Sequence, residues 1–347
     1  MDKVKAIIYA LLAAIFYAIN VPVSKVLLDS VGPTTMAALL YLGAGIGIGI
    51  MSFFNKKDRE QTERLSKSDL PFVIGMIVLD IAAPIFLMLG IRYGSSANAS
   101  LLGNFEIVAT TVIALFLFKE VVSRRLWIAI ALITISSGIL SLEGTDSFQF
   151  SYGSLFVLLA TVCWGFENNC TRNISSKSTY EIVVLKGIFS GLGSLIIAFI
   201  KRETMPGMGY IAAALVLGFV AYGLSIFLYI RAQNVLGAAK TSAYYAVAPF
   251  VGAFLAFVFL RERLSVIYLI ALIIMIAGSA LVVEDTLIRH HAHIHTHTFT
   301  HTHDGYTHTH TVTHSHDHNH YITDGKHGHH HTRKELECLP GAVHKRL

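Results

Sequence analysis

Apolar runs of about 20 residues recur along this chain, each long enough to cross a ~30 Å hydrocarbon layer as a helix. Ten are read, at about 5–27, 33–54, 70–91, 96–118, 126–142, 152–170, 180–200, 207–230, 238–260 and 266–284. Hydrophobic residues make up 54% of the sequence and charged ones only 14%, which sets it apart from ordinary soluble domains. A large soluble helical protein would need polar helix faces that these runs lack. The links between them are short, so no soluble catalytic domain is hidden there. The expected fold is an all-α polytopic membrane protein with ten transmembrane helices.

Lys3 and Lys5 precede the first run, as in a signal peptide. The run is too long for one, and no small-x-small cleavage site closes it. Cys163, Cys170 and Cys338 form no even-numbered set, so structural disulfides are not expected. Loop charges give an orientation. The N-terminus and the links after helices 2, 4, 6 and 8 carry most of the Lys and Arg, chiefly in NKKDREQTERLSK. The opposite side holds Lys25, Arg92, Lys201, Arg202, Arg261 and Arg263. The positive-inside rule then puts both termini in the cytoplasm and the chain in the cell inner (cytoplasmic) membrane. The net charge of +5 is largely this topological signal and needs no nucleic-acid partner.

The body reads as one unit written twice. IIYALLAAIFYAINVPVSK from Ile7 aligns with SLFVLLATVCWGFENNCTR from Ser154, setting Tyr17 on Trp164, Asn20 on Glu167 and Lys25 on Arg172. ATTVIALFLFKEVVS aligns with GAFLAFVFLRERLS, setting Glu120 on Glu262 and Ser123 on Ser265. Two five-helix repeats, 1–143 and 152–284, therefore meet at a seam near Gly144–Ser151, followed by a tail at 285–347. An odd number of crossings per unit inverts the second copy, a plan common in secondary transporters.

Two stretches carry a family resemblance: SANASLLGNFEIVATTVIALFLFKEVVSRRLWIAIALITISSGIL and GAAKTSAYYAVAPFVGAFLAFVFLRERLSVIYLIALIIMIAGSAL. Each opens on small residues, has a Glu or Pro in mid-helix and closes the helix with a Glu, here Glu120 and Glu262. In this they resemble the EamA-type repeat of the drug/metabolite transporter superfamily. Ile107 stands where that pattern often has proline, and Ala248 precedes the retained Pro249. The resemblance covers about residues 5–284. It implies ten helices around a central cavity and alternating-access transport, usually export of small metabolites. No Walker A sequence is present, so no nucleotide site is expected.

Ionisable groups at membrane depth cost about 2.5–3.5 kcal/mol on insertion scales and so usually face a cavity or a partner. Here they are Asp80, Glu106, Glu167, Lys186 and Lys240, with Asn20, Asn104 and Asn168 at similar depth. One reading makes them structural pairs, with Lys186 neutralising Glu167 or Glu106. The other makes Glu106, Asp80 and Lys186 cavity groups that bind substrate or relay protons, Glu106 first among them. Tyr17, Trp164, Tyr244 and Tyr245 are candidates to line the same cavity. Gly43, Gly45, Gly47 and Gly49, with Gly187 and Gly191, have the spacing of close helix packing. Pro22, Pro84 and Pro249 are candidate helix breaks.

All 18 histidines lie between His290 and His344. HTHTFTHTHD from His295 returns as HTHTVTHSHD from His308, joined across Asp304-Gly305, a two-residue hairpin signal. In such a hairpin His303 neighbours Tyr306, His301 faces His308 and His295 faces His314, with Thr and Val312 on the other face. Isolated hairpins are marginal, so without metal the segment is expected to be disordered. The candidate ligands are His293, His295, His297, His301, His303, His308, His310, His314, His316, His318, His320, His327, His329, His330 and His331. Imidazole in this density suits Ni, Zn, Co or Cu ions.

The function expected is a secondary transporter exporting a small polar metabolite or amino acid, with a metal-binding regulatory tail. The alternatives are a divalent transition-metal exporter and a metal-responsive membrane sensor that moves nothing. No enzyme is expected, since no nucleophile–base pair stands out. The body requires no cofactor. Its expected partners are the lipid bilayer, a small-molecule substrate and transition-metal ions, with a homodimer allowed.

Overall fold

A computed structural model of the chain describes residues 3–54, 63–118, 122–143, 149–174, 177–236, 241, 244–262, 265–303 and 306–321. It divides into two units, Met1–Asp285 and Thr286–Leu347.

The first unit is helical. Its first half runs α1 (Lys3–Ala18), α2 (Asn20–Leu27), α3 (Pro33–Phe54), α4 (Leu70–Tyr93), α5 (Ser96–Leu102), α6 (Phe105–Phe118) and α7 (Arg124–Leu140). A short strand pair, β1 (Leu142–Glu143) with β2 (Gln149–Phe150), marks the seam. The second half runs α8 (Tyr152–Ile174), α9 (Thr179–Ile200), α10 (Met208–Gly218), a π-helical turn (Phe219–Leu224), α11 (Ser225–Leu236), α12 (Ala248–Leu260) and α13 (Val266–Leu287).

Among the described residues, 7 helices are long and apolar enough to cross a membrane, against the ten spans expected. The other three segments are α7 with 17 residues, α12 with 13, and α8. The last carries Glu167, Asn168, Asn169 and Arg172 along its second half.

Helix α1 shows what the surroundings must be. Ala6, Ala10, Ala13 and Ala14 are buried at helical spacing, while Val4, Ile8, Leu11 and Ile15 face outward. Phe116, Phe254, Phe259 and Ile273 are likewise exposed. Water would drive the larger apolar groups inward. A lipid solvent removes that drive and leaves small residues, which permit close approach, at the helix interfaces.

Contacts between the halves form a reciprocal pattern. Helix α4 runs against α8, and α11 runs against α1; α3 meets α9, and α5 meets α12. The approach of α3 to α9 is made by glycine. A Cβ on Gly187 would lie 2.4 Å from the Gly45 backbone nitrogen, so neither helix could carry a side chain there without moving.

The helices break where hydrogen bonding requires it. Pro22 cannot donate to Ala18, and the chain turns at Ile19 between α1 and α2. Pro249 sits in the first turn of α12, where its missing N–H costs nothing. Pro84, expected as a break, lies inside the continuous α4. Two interruptions carry no proline: Gly103–Asn104 between α5 and α6, and the π turn at Phe219–Leu224.

At one end of the bundle, carboxylates cap helices from the opposite half. Glu203 accepts hydrogen bonds from the Thr34 and Thr35 amides at 3.1 and 2.8 Å, at the start of α3. Glu262 accepts from the Ser96 and Ala97 amides at 2.8 Å, at the start of α5. Helix N-termini favour negative charge. Partial burial raises the Glu203 pKa, but the hydrogen bonds from Thr35 and Thr34 outweigh it and hold the group below its ordinary value. A depressed carboxylate pKa adds stability that is full above the unfolded value of 4.5 and lost as pH falls through the folded one. Thermal unfolding in detergent should therefore fall more steeply between about pH 5 and pH 3 in the native protein than in Glu203→Gln. Parallel curves would mean that the cap contributes nothing.

The second unit is a two-stranded antiparallel ladder, β3 (Ile288–His303) with β4 (Tyr306–Tyr321). The expectation of a disordered segment does not match this backbone. β-branched threonines pair across it at 296–313, 298–311, 300–309 and 302–307, a pairing that favours strands. His295 stands opposite His314, His301 opposite His308 and His303 opposite Tyr306. Val312 stands opposite His297, which puts it in the histidine-bearing set of alternate positions, not in the threonine set as expected. Asp304-Gly305, His327, His329, His330 and His331 lie outside the described residues.

Candidate functional site

The charged groups of the body meet in one buried cluster. The Lys186 ammonium lies 3.0 Å from Asp80 Oδ2 and 3.0 Å from Glu167 Oε1. Asp80 is fully buried and Glu167 nearly so. The Tyr41 hydroxyl donates to Asp80 Oδ1 at 2.8 Å, and the Thr171 hydroxyl, one turn along α8, donates to Glu167. Three charges thus share one site, and hydrogen bonds occupy further lone pairs, as burial of ions requires. Asp80 comes from α4 in the first half; Lys186 and Glu167 come from α9 and α8 in the second.

Beside this triad, Glu106 faces an amide and not a cation. Asn168 Nδ2 donates to Glu106 Oε1 at 2.6 Å and reaches Thr110 Oγ1 at 3.2 Å. Glu106 occupies the first turn of α6, directly after the break at Gly103–Asn104. The Glu106 and Ile107 amides there bond back to the Gly103 and Asn104 carbonyls at 3.1 Å, and the helix N-terminus favours negative charge nearby.

An aromatic and amide network lies against these acids. Asn20 donates to the Tyr222 hydroxyl at 3.2 Å and accepts from Ser24 at 3.1 Å. The Tyr17 ring lies 6.0 Å from those of Tyr222 and Tyr245, and Tyr41 lies 5.2 Å from Tyr222. The Tyr245 hydroxyl shares a 3.2 Å hydrogen bond with Ser225, which donates to the Ala13 carbonyl at 2.9 Å. Tyr222 belongs to the π turn, whose widened ring re-aims side chains.

Of the residues singled out from sequence, Asp80, Glu106, Glu167, Lys186 and Asn168 come together with Asn20, Tyr17 and Tyr245 close by. Lys186 pairs with Glu167 and with Asp80, not with Glu106. Asn104 turns back on its own helix, donating to the Leu101 carbonyl at 3.4 Å. Trp164 is buried and its side chain hydrogen-bonds Tyr41, the phenol that donates to Asp80, while Tyr244 makes none of these contacts. Lys240 lies outside the described residues. Tyr41, Tyr222, Thr110 and Thr171 were missed. The signal for the two tyrosines was present, because a phenol in mid-span must find a hydrogen-bond partner.

A separate open cleft of about 500 Å³ lies at the helix ends, lined by Leu28–Pro33, Arg92, Tyr93 and Lys201–Thr204 among others. None of the cluster residues line it.

Comparison with known proteins follows the same two halves. The EamA-like transporter family matches residues 4–142 and again 151–284. An uncharacterized transporter of Methanothermobacter thermautotrophicus is 24% identical over 80% of this chain and 86% of its own length. The uncharacterized transporter YyaM of Bacillus subtilis is 22% identical over 76% of this chain and 89% of its own. One solved crystal structure superposes with a TM-score of 0.59 at 16% identity, covering 80% of this chain and 94% of that one. With both halves matched and the fold shared, this chain belongs to the EamA-like transporter family.

Proposed function

We propose that the protein is a secondary active transporter of the cytoplasmic membrane, exporting a small polar metabolite or amino acid by alternating access. The observation that carries this is the buried Asp80–Lys186–Glu167 triad, assembled from both halves beside Glu106 and Asn168. Buried ion pairs add little to stability compared with apolar packing of the same volume. Their value lies in exchange: a proton or a substrate ammonium can take the place of a partner as the helices move. Glu106, held by an amide, is the group free to accept either. The reciprocal contacts of α4 with α8 and α11 with α1 support an inverted-repeat arrangement, in which midplane sites lie where the repeats meet.

Metal as cargo is the second reading, and the body's lack of histidine weighs against it. The tail is assigned a cytoplasmic, metal-responsive regulatory role. Flux in proteoliposomes tests the main reading. A pH gradient should drive movement of at least one amino acid or polar metabolite. Folded protein that moves none of them, nor any divalent metal, would leave the sensor alternative standing instead.

A further inference from the structure

Glu203 and Glu262 share a geometry that helix capping alone does not require. Each follows directly on an arginine in the left-handed region, Arg202 at φ 55° and Arg261 at φ 53°, where residues other than glycine seldom sit. Each arginine lies just past the end of a second-half helix, α9 or α12. Each carboxylate then takes two amides of the first half: Thr34 and Thr35 at the start of α3, Ser96 and Ala97 at the start of α5. The Thr35 hydroxyl also donates to Glu203 at 2.8 Å. The seat of Glu203 is kept open by glycine, since a Cβ on Gly32 would lie 2.2 Å from Glu203 Oε2.

These ties join α9 to α3 and α12 to α5, two of the pairings through which the halves meet. Farther in, the α3–α9 pairing rests on Gly45 against Gly187. That contact lies about 16 Å along α3 from Thr34, at a rise of about 1.5 Å per residue. It has no side chains to interlock, so the helices can pivot there while their ends part. The end contacts are of another kind: water at the bundle end can replace each partner of a carboxylate–amide hydrogen bond.

We propose that Glu203 and Glu262 are the two latches of one gate, holding the halves together at this end and releasing when the protein opens there. This deepens the transport reading and rests on it, because alternating access gates a site between the repeats from either side. The opposite end has its own ties between the halves, Arg64–Glu181 and Lys177–Glu63.

The test reads opening without any transported solute. Ser100 of α5 is buried against α12, where a Cβ on Gly252 would lie 2.9 Å from its hydroxyl oxygen. In the full-length protein with Cys163→Ser, Cys170→Ser and Cys338→Ser, the change Ser100→Cys supplies a single thiol. Its rate of reaction with a water-soluble maleimide in detergent reports water entry between the halves. Glu262→Gln weakens the α5 latch. Gly32→Ala breaks the α3 latch by displacing the Glu203 carboxylate while every charge stays in place; Glu203→Gln replaces it if that variant does not fold. Labelling is compared at equal distance below each thermal midpoint, so unfolding does not mimic opening. Both changes should speed labelling about tenfold or more, the scale of a lost hydrogen bond to a charged group. The α3 variant is decisive, because it exposes a thiol on α5 only if the two latches act as one gate. Faster labelling in only one of the two, or in neither, would overturn the proposal. A responsive gate in a protein that moves no solute in proteoliposomes would sink the transport reading and leave the latches standing.

Discussion

Lys186→Met is expected to destabilise the protein by about 3–5 kcal/mol, the cost of leaving buried charges without their counter-ion. Asp80 and Glu167 both reach Lys186 at 3.0 Å, so removing the ammonium leaves two carboxylates confronting each other out of water. The phenol of Tyr41 and the hydroxyl of Thr171 supply dipoles, which cannot replace a full charge. The expected readout is a large fall in the thermal midpoint in detergent, with poor yield. A triple variant separates charge from shape: Asp80→Asn and Glu167→Gln combined with Lys186→Met should recover most of the loss. A single variant that melts like the native protein would show that the triad is not energetically coupled.

Glu106→Gln should have the opposite profile. Glutamine keeps an acceptor for Asn168 Nδ2 at the same place, so folding should be nearly unchanged. Exchange of a proton or a substrate ammonium is removed, and groups acting directly in proton transfer are typically worth about a hundredfold or more. Flux in proteoliposomes should fall by about that factor, and its dependence on the pH gradient should vanish. Glu106→Asp should restore part of both. Full flux from Glu106→Gln would move the coupling role to the triad.

Much of the body is readable from the residues alone. Apolar runs of this length locate helices because a helix satisfies every backbone group within its own segment in lipid, and the few ionisable residues inside them stand out against that background. Partner choice is not readable in this way. Whether Lys186 would meet Asp80, Glu106 or Glu167 depends on the rotation of α9 against α4 and α8, which small-residue packing decides. Helix breaks are half legible. Pro22 marks one, but Pro84 is absorbed within α4, since a neighbouring helix environment can tolerate the lost hydrogen bond. The interruption at Gly103–Asn104 and the π turn at Phe219–Leu224 have no proline, and both adjoin the polar cluster. In the tail, alternation and the Asp304-Gly305 pair anticipate the rungs His295–His314 and His301–His308. The threonine pairing that lets the strands persist emerges only once that register is followed along the whole ladder.

The seam at Leu142–Glu143 and Gln149–Phe150 separates the triad unevenly, and this bears on how the protein is made. During synthesis the first half enters the membrane with Asp80 and no cation to meet it. The second half brings Lys186 and Glu167 as a pair already neutral in sum. An orphaned first half is therefore the species whose Asp80 has no counter-ion in lipid, a costly arrangement. Completion of the chain gives Asp80 an ammonium to pair with, so the ion cluster forms only once both halves have met.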